Sequence, residues 1–262
     1  MNYLMGMKQV FSFFFHLNIT SKKAKAFYLL SFLPVLALGI AKGVELLKPD
    51  MQVTAEQLFS RVLLITYVQL LIPILALLYG SLVIHEEVDN KTLVYLTSSP
   101  VPRPAILLGK YFACVALTTI IVEVSFFLCF LIININHFPQ IIYFKEFITF
   151  FAIGALAIAV YTGFFTLLGS MLKKPLLLGL LFIFGWENVV QYFPGVTQKL
   201  TLIHFVKSLL PSTSENVKFL VFKLEPSGTI ESLIVLLVLT IFFLIAASLI
   251  FKYKEYILAD VM

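Results

Sequence analysis

The sequence predicts an all-α membrane protein that crosses the bilayer six times, and three observations support that prediction. Of the 262 residues, 60% are hydrophobic and 13% are charged, whereas soluble domains carry about 25% charged residues. The apolar residues form long runs, and a helix needs about 20 such residues to cross a bilayer. The runs are apolar on every side, whereas barrel strands are shorter and alternate. This composition excludes a soluble globular enzyme, a disordered chain and a disulfide-rich scaffold.

Residues 1–25 precede the first apolar run and are expected to form an amphipathic helix that lies in the membrane interface. Lys8, Ser12 and His16 follow one another at helical spacing on one face. The alternative is a disordered apolar tail, and the absence of a small-residue cleavage site argues against a secretory signal. Apolar side chains share the other face: Leu4, Met7, Phe11, Phe14 and Phe15.

Six apolar runs follow within a single transmembrane domain that covers residues 1–262. Pro34 and Pro73 lie inside two of the runs, which membrane helices tolerate because neighbouring groups satisfy the freed backbone. Glu123 and Glu187 interrupt two others. The predicted spans are residues 26–47, 62–84, 111–136, 147–172, 175–193 and 230–251.

The distribution of basic residues predicts the orientation of these spans. An even number of crossings places both termini on one side, and that side holds 11 of the 19 Lys and Arg residues against 8 on the other. Cytoplasmic loops carry the excess of Lys and Arg. The sequence therefore predicts a multi-pass plasma-membrane protein with both termini in the cytoplasm. The net charge of +5 needs no nucleic-acid partner.

The segment between the second and third spans, residues 85–110, has an ordered series of features. Acidic residues open it, a short amphipathic run follows, and a proline-rich turn ends that run because proline lacks the N–H that continues a helix. A short, rigid helix parallel to the membrane could transmit force from a soluble partner; the alternative is an ordinary polar loop. The candidate coupling residues are Glu86, Glu87, Asp89, Thr92, Leu93, Leu96, Pro100 and Arg103.

In this order of residues the segment resembles the signature of the ABC type-2 exporter permease family. That signature has acidic residues, Gly-Thr-Leu, a leucine pair, a proline, an arginine and a closing Gly-Lys. Gly109 and Lys110 supply the closing pair here, and Lys91 stands where the family commonly has glycine. The resemblance implies the membrane subunit of an ABC exporter, paired with a cytoplasmic ATPase subunit and with a second permease copy in a homo- or heterodimer. Residues 85–110 would then form the coupling helix that docks in a groove of the ATPase.

The chain has no phosphate-binding loop of its own. The pattern G-x-x-x-x-G-K-[ST] is absent, since Gly109-Lys110 is followed by Tyr111 and lacks the earlier glycine. We therefore expect that this chain is not an enzyme and that it binds no cofactor. ATP and Mg would be bound by the separate ATPase subunit.

Three polar residues inside the apolar runs are candidates for a translocation path: Glu123, Glu187 and Asn188. A charge near the centre of a span costs at least about 2.5–3.5 kcal/mol on insertion scales, so such residues face protein or water. Glu123 has two interpretations, a residue of the substrate path or a hydrogen-bonded packing residue. Glu187 and Asn188 either begin the outer mouth, with Trp186 as an interfacial anchor, or line the path.

The outer loop, residues 194–229, is long enough to have structure or a function of its own. Ile203, Val206 and Leu210 share a helical face that Pro211 ends. Short helices that dip back into the outer leaflet would fit this pattern. The family resemblance implies re-entrant helices here, acting as an outer gate.

Three other functions are alternatives to the exporter permease. An intramembrane glutamate protease also uses adjacent glutamates, but it needs an arginine where this chain has Lys91 and a histidine within a span, whereas His137 and His204 lie in loops. A secondary carrier would show internal repeats, and none is evident between the two halves. A non-transporting immunity or sensor subunit on the same fold stays open, because fold does not fix function.

Overall fold

In the part of the chain that the structure describes, all regular secondary structure is helical, which confirms the predicted all-α class. The structure is a computed structural model, and the described residues are 3–47, 62–89, 101–135, 144–191, 193, 195–210 and 227–254.

The helices differ in length and in type along the chain. Within the described ranges two stretches are π-helical: one leads directly into α3, and the other joins α6 to α7. In chain order the elements are α1 (Tyr3–Thr20), α2 (Lys22–Leu47), a first π-helical stretch (Val62–Leu71), α3 (Ile72–Asp89), α4 (Arg103–Asn134), α5 (Phe144–Met171), α6 (Pro175–Leu181), a second π-helical stretch (Phe182–Glu187), α7 (Asn188–Val190), a 3₁₀ turn (Gly195–Leu200), α8 (Leu202–Leu209) and α9 (Thr229–Tyr253).

Among the described residues, five helical segments are long and apolar enough to cross a membrane. The predicted fifth span, residues 175–193, falls on a shorter apolar helical stretch, Pro175–Val190, which contains the second π-helical stretch. The five segments are Ala24–Val44, Thr66–His85, Arg103–Asn134, Phe147–Met171 and Thr229–Tyr253.

The helices pack around α4 and α5. The most extensive contacts join α3 to α5, α1 to α4, and α9 to α5. Where α3 meets α5, a Cβ added at Gly169 would lie 2.5 Å from the carbonyl oxygen of Ser81. Glycine at this position therefore allows the two backbones to touch, and such small residues are typical of helix contacts in membranes.

Polar side chains also join the helices inside the apolar core. The Tyr67 hydroxyl lies 2.7 Å from the Ser125 hydroxyl, which donates a hydrogen bond to the carbonyl oxygen of Ser31. All three residues are buried, and they belong to three different helical segments. Phe126 and Phe150, with ring centroids 4.0 Å apart, pack beside them. Hydrogen bonds of this kind link helices that gain no hydrophobic energy from each other in lipid.

Candidate coupling site and outer polar cluster

An ion pair closes the base of the candidate coupling loop, residues 85–110. The Nζ of Lys110 lies 2.9 Å from Oε1 of Glu87, and the two side chains are 8% and 15% exposed, respectively. Glu87 stands in the last turns of α3 and Lys110 in the second turn of α4. The pair therefore joins the helices that enter and leave the loop, and because it is largely shielded from solvent, removing one partner costs more than breaking a surface ion pair.

Helix α1 packs against the same point. The Lys110 ammonium lies 4.3 Å from the ring centroid of Phe14, within the range of a cation–π interaction. A Cβ added at Gly109 would lie 2.8 Å from the carbonyl oxygen of Met7. The closing Gly-Lys pair of the sequence motif thus has two structural tasks: Gly109 admits the backbone of α1, and Lys110 binds Glu87.

Two further contacts bring the ends of α5 and α9 to this region. The guanidinium of Arg103 donates a hydrogen bond of 3.4 Å to the carbonyl oxygen of Lys252. The ammonium of Lys254 donates to the carbonyl oxygens of Ser170 and Met171, at 2.9 and 2.8 Å. These carbonyls lie at the end of α5, where a helix leaves acceptors without intrahelical partners. We call this side of the bundle the α1 end.

The predicted coupling residues divide into three groups. The side chains of Glu87 and Arg103 are described, and both lie at the α1 end. Glu86 and Asp89 belong to α3, but their side chains are outside the described residues. The remaining predicted coupling residues lie wholly outside the described residues: Thr92, Leu93, Leu96 and Pro100.

Glu123 lies inside the bundle, in α4, with its side chain turned toward α5. The residue is 6% exposed, and neither carboxylate oxygen has a hydrogen-bond partner among the described residues. Its Oε1 lies 3.0 Å from the position that a Cβ on Gly154 would occupy. No hydrogen bond therefore joins Glu123 to the other two candidates, Glu187 and Asn188.

Glu187 binds the N-terminus of α8. Its Oε1 accepts the backbone N–H of Leu202 at 2.9 Å, and its Oε2 accepts the N–H of Ile203 at 3.0 Å. The hydroxyl of Tyr161, from α5, donates to Oε2 at 3.1 Å. The residue before the helix, Thr201, makes no side-chain cap. The buried Glu187 carboxylate thus supplies the acceptors that the first N–H groups of a helix require, and its charge suits the positive end of the helix dipole.

A second set of contacts holds the other end of α8. Asn188 Oδ1 accepts hydrogen bonds from the side-chain amides of Gln69 and Gln191. The Lys207 ammonium donates to Gln191 Oε1 at 2.7 Å and to Gln69 Oε1 at 3.5 Å. Burial lowers the pKa of Lys207 to about 8, and the charge of Glu187 opposes that shift. We call these residues, together with Glu187 and Tyr161, the outer polar cluster.

Sequence reasoning missed three members of this cluster: Gln69, Tyr161 and Lys207. Gln69 and Tyr161 are single polar residues within apolar runs, and Lys207 is one of several lysines in a basic loop. Their roles depend on contacts between segments far apart in the chain. A polar residue inside an apolar run is the available signal, because such a residue needs a partner.

Helix α8 is also joined to the start of α9. The Nε2 of the buried His204 lies 3.0 Å from the Ser227 hydroxyl. Of the residues on the predicted face, Ile203 and Val206 are buried. His204 therefore joins α8 to Ser227 before α9, whereas Glu87 is bound to Lys110 at the α1 end of the bundle.

The packed apolar helices, with their exposed apolar surfaces, define a multi-pass helical membrane protein. The chain belongs to the ABC-2 transporter family, since the sequence profile of the ABC-2 family transporter proteins matches residues 4–256. The resemblance drawn from the loop is thereby confirmed. The chain is a membrane permease of an ABC transporter and is not itself an ATPase; membership implies association with an ABC ATPase. No match is found among curated proteins.

Proposed function

We propose that this chain is the membrane-spanning subunit of an ATP-driven exporter and that a separate ATPase subunit drives it through residues 85–110. The observation that carries the proposal is the buried Glu87–Lys110 ion pair, 2.9 Å long. A loop whose two ends are clamped together can pass a displacement to both helices, whereas a slack loop would absorb it.

The contacts at the loop base support a common movement of several helices. Lys110 contacts α3 through Glu87 and α1 through Phe14. Arg103, at the start of α4, is bound to the end of α9. A push on the loop by the ATPase would therefore act on α1, α3, α4 and α9 together, which is the rigid-body type of switching transition.

We further propose six crossings, with Pro175–Val190 as the fifth. The preceding helix, α5, ends at the α1 end, where Lys254 binds its last carbonyls. The stretch then reaches Glu187, which binds α8, and α8 is joined to Ser227 just before α9. At 1.5 Å per residue the stretch spans about 24 Å, less than the hydrocarbon thickness of about 30 Å. A re-entrant α8 would occupy the remaining depth.

In this proposal α8 is part of the outer gate, and Glu187 holds it closed. The carboxylate binds both first N–H groups of α8, while Lys207 binds Gln191 at the far end of the same helix. Release of these bonds, and of the bond from Lys207 to Gln69, would free α8 from the fifth crossing and from the first π-helical stretch. Glu187 and Asn188 are then parts of the gate mechanism at the mouth of the path, and Glu123 faces the core.

The proposed assembly places the termini in the cytoplasm and the chain in the plasma membrane. Two permease copies, identical or different, would pair with two ATPase subunits, which bind ATP and Mg. The basic residues of the α1 end, among them Arg103, Lys173 and Lys252, support the cytoplasmic assignment because cytoplasmic boundaries are rich in Lys and Arg.

The experiment compares two charge reversals in the transporter purified from membranes together with its ATPase subunit. Glu86→Lys changes the coupling loop, and Glu231→Lys is a matched control, because Glu231 is exposed and lies at the start of α9, away from the loop. In proteoliposomes we expect Glu86→Lys to reduce ATP hydrolysis to the level of the isolated ATPase subunit, while the control retains wild-type hydrolysis. Wild-type hydrolysis in Glu86→Lys, or the absence of a copurifying chain with a phosphate loop, would refute the proposal.

A further inference from the structure

Four exposed cations from three segments meet at the α1 end. Arg103 begins α4, Lys173 and Lys174 lie between α5 and α6, and Lys252 is in the last turn of α9; all four residues are exposed. We call these four residues the basic rim.

Hydrogen bonds fix the basic rim in place. Arg103 is bound to the carbonyl oxygen of Lys252. Lys254, two residues further along, binds the carbonyl oxygen of Met171, which is two residues before Lys173. The three segments are therefore held together by the protein itself, although they carry charges of the same sign and repel one another.

The charge of the basic rim is not balanced by nearby acids in the described part of the chain. No carboxylate there pairs with Arg103, Lys173, Lys174 or Lys252, and Glu87, the described acid at this end, is already bound to Lys110. An exposed cluster of like charges of this kind attracts anions.

The basic rim lies directly beside apolar surface. On α9 the neighbour Tyr253 is 72% exposed and Leu249, one turn before it, is 50% exposed. Met171 at the end of α5 and Leu177 on α6 are 51% and 60% exposed. An exposed tyrosine between cations and an apolar surface is typical of the headgroup level of a bilayer. A ligand here would present an anionic group to the cations and acyl chains to the apolar side chains.

We propose that the basic rim binds the phosphodiester headgroup of anionic phospholipids, such as phosphatidylglycerol. Arg103 can bind phosphate oxygens with its planar guanidinium, and the lysines add compact charges. Pockets of basic residues between membrane helices commonly hold such headgroups. Because Arg103 begins the helix that follows the coupling loop, the bound lipid would stabilise the loop base. The proposal requires that α6 and α9 face lipid, and it does not require the chain to transport.

The test measures lipid retention by the full-length transporter complex. The complex is titrated with phosphatidylglycerol and, in parallel, with phosphatidylcholine, and bound lipid is counted by native mass spectrometry. Each cation near an anionic surface contributes about fivefold to binding, so Lys173→Gln/Lys174→Gln should weaken phosphatidylglycerol binding by roughly 25-fold and leave phosphatidylcholine binding unchanged. Lys199→Gln removes an exposed lysine of the 3₁₀ turn that pairs with Glu231 at the start of α9. It is the matched control and should bind phosphatidylglycerol as the wild type does.

Several results would overturn the proposal. The first is that the wild type and the double variant bind phosphatidylglycerol equally, and the second is that millimolar inorganic phosphate displaces the lipid. The third is that the double variant loses the ATPase subunit without a change in lipid binding. The last result would assign the rim to protein docking. If the double variant does not fold, Lys252→Gln is measured instead, with an expected loss of about fivefold. Lipid counts do not depend on ATP hydrolysis, so this test can fail while the exporter proposal holds.

Discussion

Replacing Glu87 with glutamine removes one charge from the ion pair that closes the coupling loop. In the wild type the Lys110 side chain is 8% exposed, and its ammonium lies 2.9 Å from the carboxylate. Glu87→Gln keeps the shape of the side chain but leaves the ammonium buried beside a neutral amide. We therefore expect the variant to be less stable than the wild type.

The magnitude follows from the burial of both groups. Breaking a buried ion pair by neutralising one partner costs about 3–5 kcal/mol. The Phe14 ring, 4.3 Å from Nζ, still stabilises the ammonium by about 0.5–2 kcal/mol, so the lower figure of about 3 kcal/mol is expected. For chains of this size 1 kcal/mol changes Tm by about 2–4 °C, which gives a fall of about 6–12 °C. Lys110→Met in addition should restore much of the stability, because it removes the buried charge that the Glu87 carboxylate balances in the wild type.

The chain provides its own reporter for this measurement. Cys114 and Cys129 are buried thiols that form no disulfide, so a maleimide dye should label them on unfolding. The complete double-mutant cycle requires thermal unfolding of four proteins in one detergent: wild type, Glu87→Gln, Lys110→Met and the double variant. Additive losses in the double variant, or a fall below about 2 °C in Glu87→Gln, would refute the reasoning.

Two further predictions concern the outer polar cluster. Glu187→Ala leaves two helix N–H groups and the Tyr161 hydroxyl without their acceptor, and each unsatisfied group costs about 1–3 kcal/mol of stability. The variant should therefore lower Tm by more than Glu187→Gln, which keeps one acceptor oxygen. Equal Tm values for the two variants would contradict the capping role. The folded-state pKa of Lys207, about 8, is below its ordinary value of 10.5. Between pH 8 and pH 10.5 the unfolded state therefore binds more protons than the folded state, and the stability contributed by Lys207 rises with pH over that range. The Tm of wild type relative to Lys207→Met should therefore increase from pH 8 to pH 10, and a constant difference would contradict the burial argument.

The helical class could be predicted from the sequence because hydropathy is a local property. A segment such as Thr229–Tyr253, which is apolar over most of its 25 residues, has little alternative to a membrane helix. The motif around Gly109 and Lys110 could likewise be read from residue order. The structure adds the reason why the motif ends in these two residues: Gly109 contacts α1, and Lys110 binds Glu87.

The role of Glu187 could not be predicted, because its partners are distant in the sequence. The N–H groups that it accepts lie 15 and 16 residues further on, whereas the capping box that sequence reasoning recognises has a spacing of three. The π-helical stretch before Glu187 has no residue pattern that separates it from an α-helix. Such a stretch changes the rotation of the chain by a part of a turn, and that rotation decides whether an acidic side chain points into the bundle or away from it.

The central claim is that residues 85–110 bind and receive force from a separate ATPase subunit. Its most direct test replaces residues 91–102 with a glycine–serine segment of equal length and measures the amount of ATPase subunit that copurifies with the permease. The account predicts a loss of the ATPase subunit with a Tm close to that of wild type, because the Glu87–Lys110 pair at the loop base remains. An unchanged ratio of ATPase subunit to permease would contradict it.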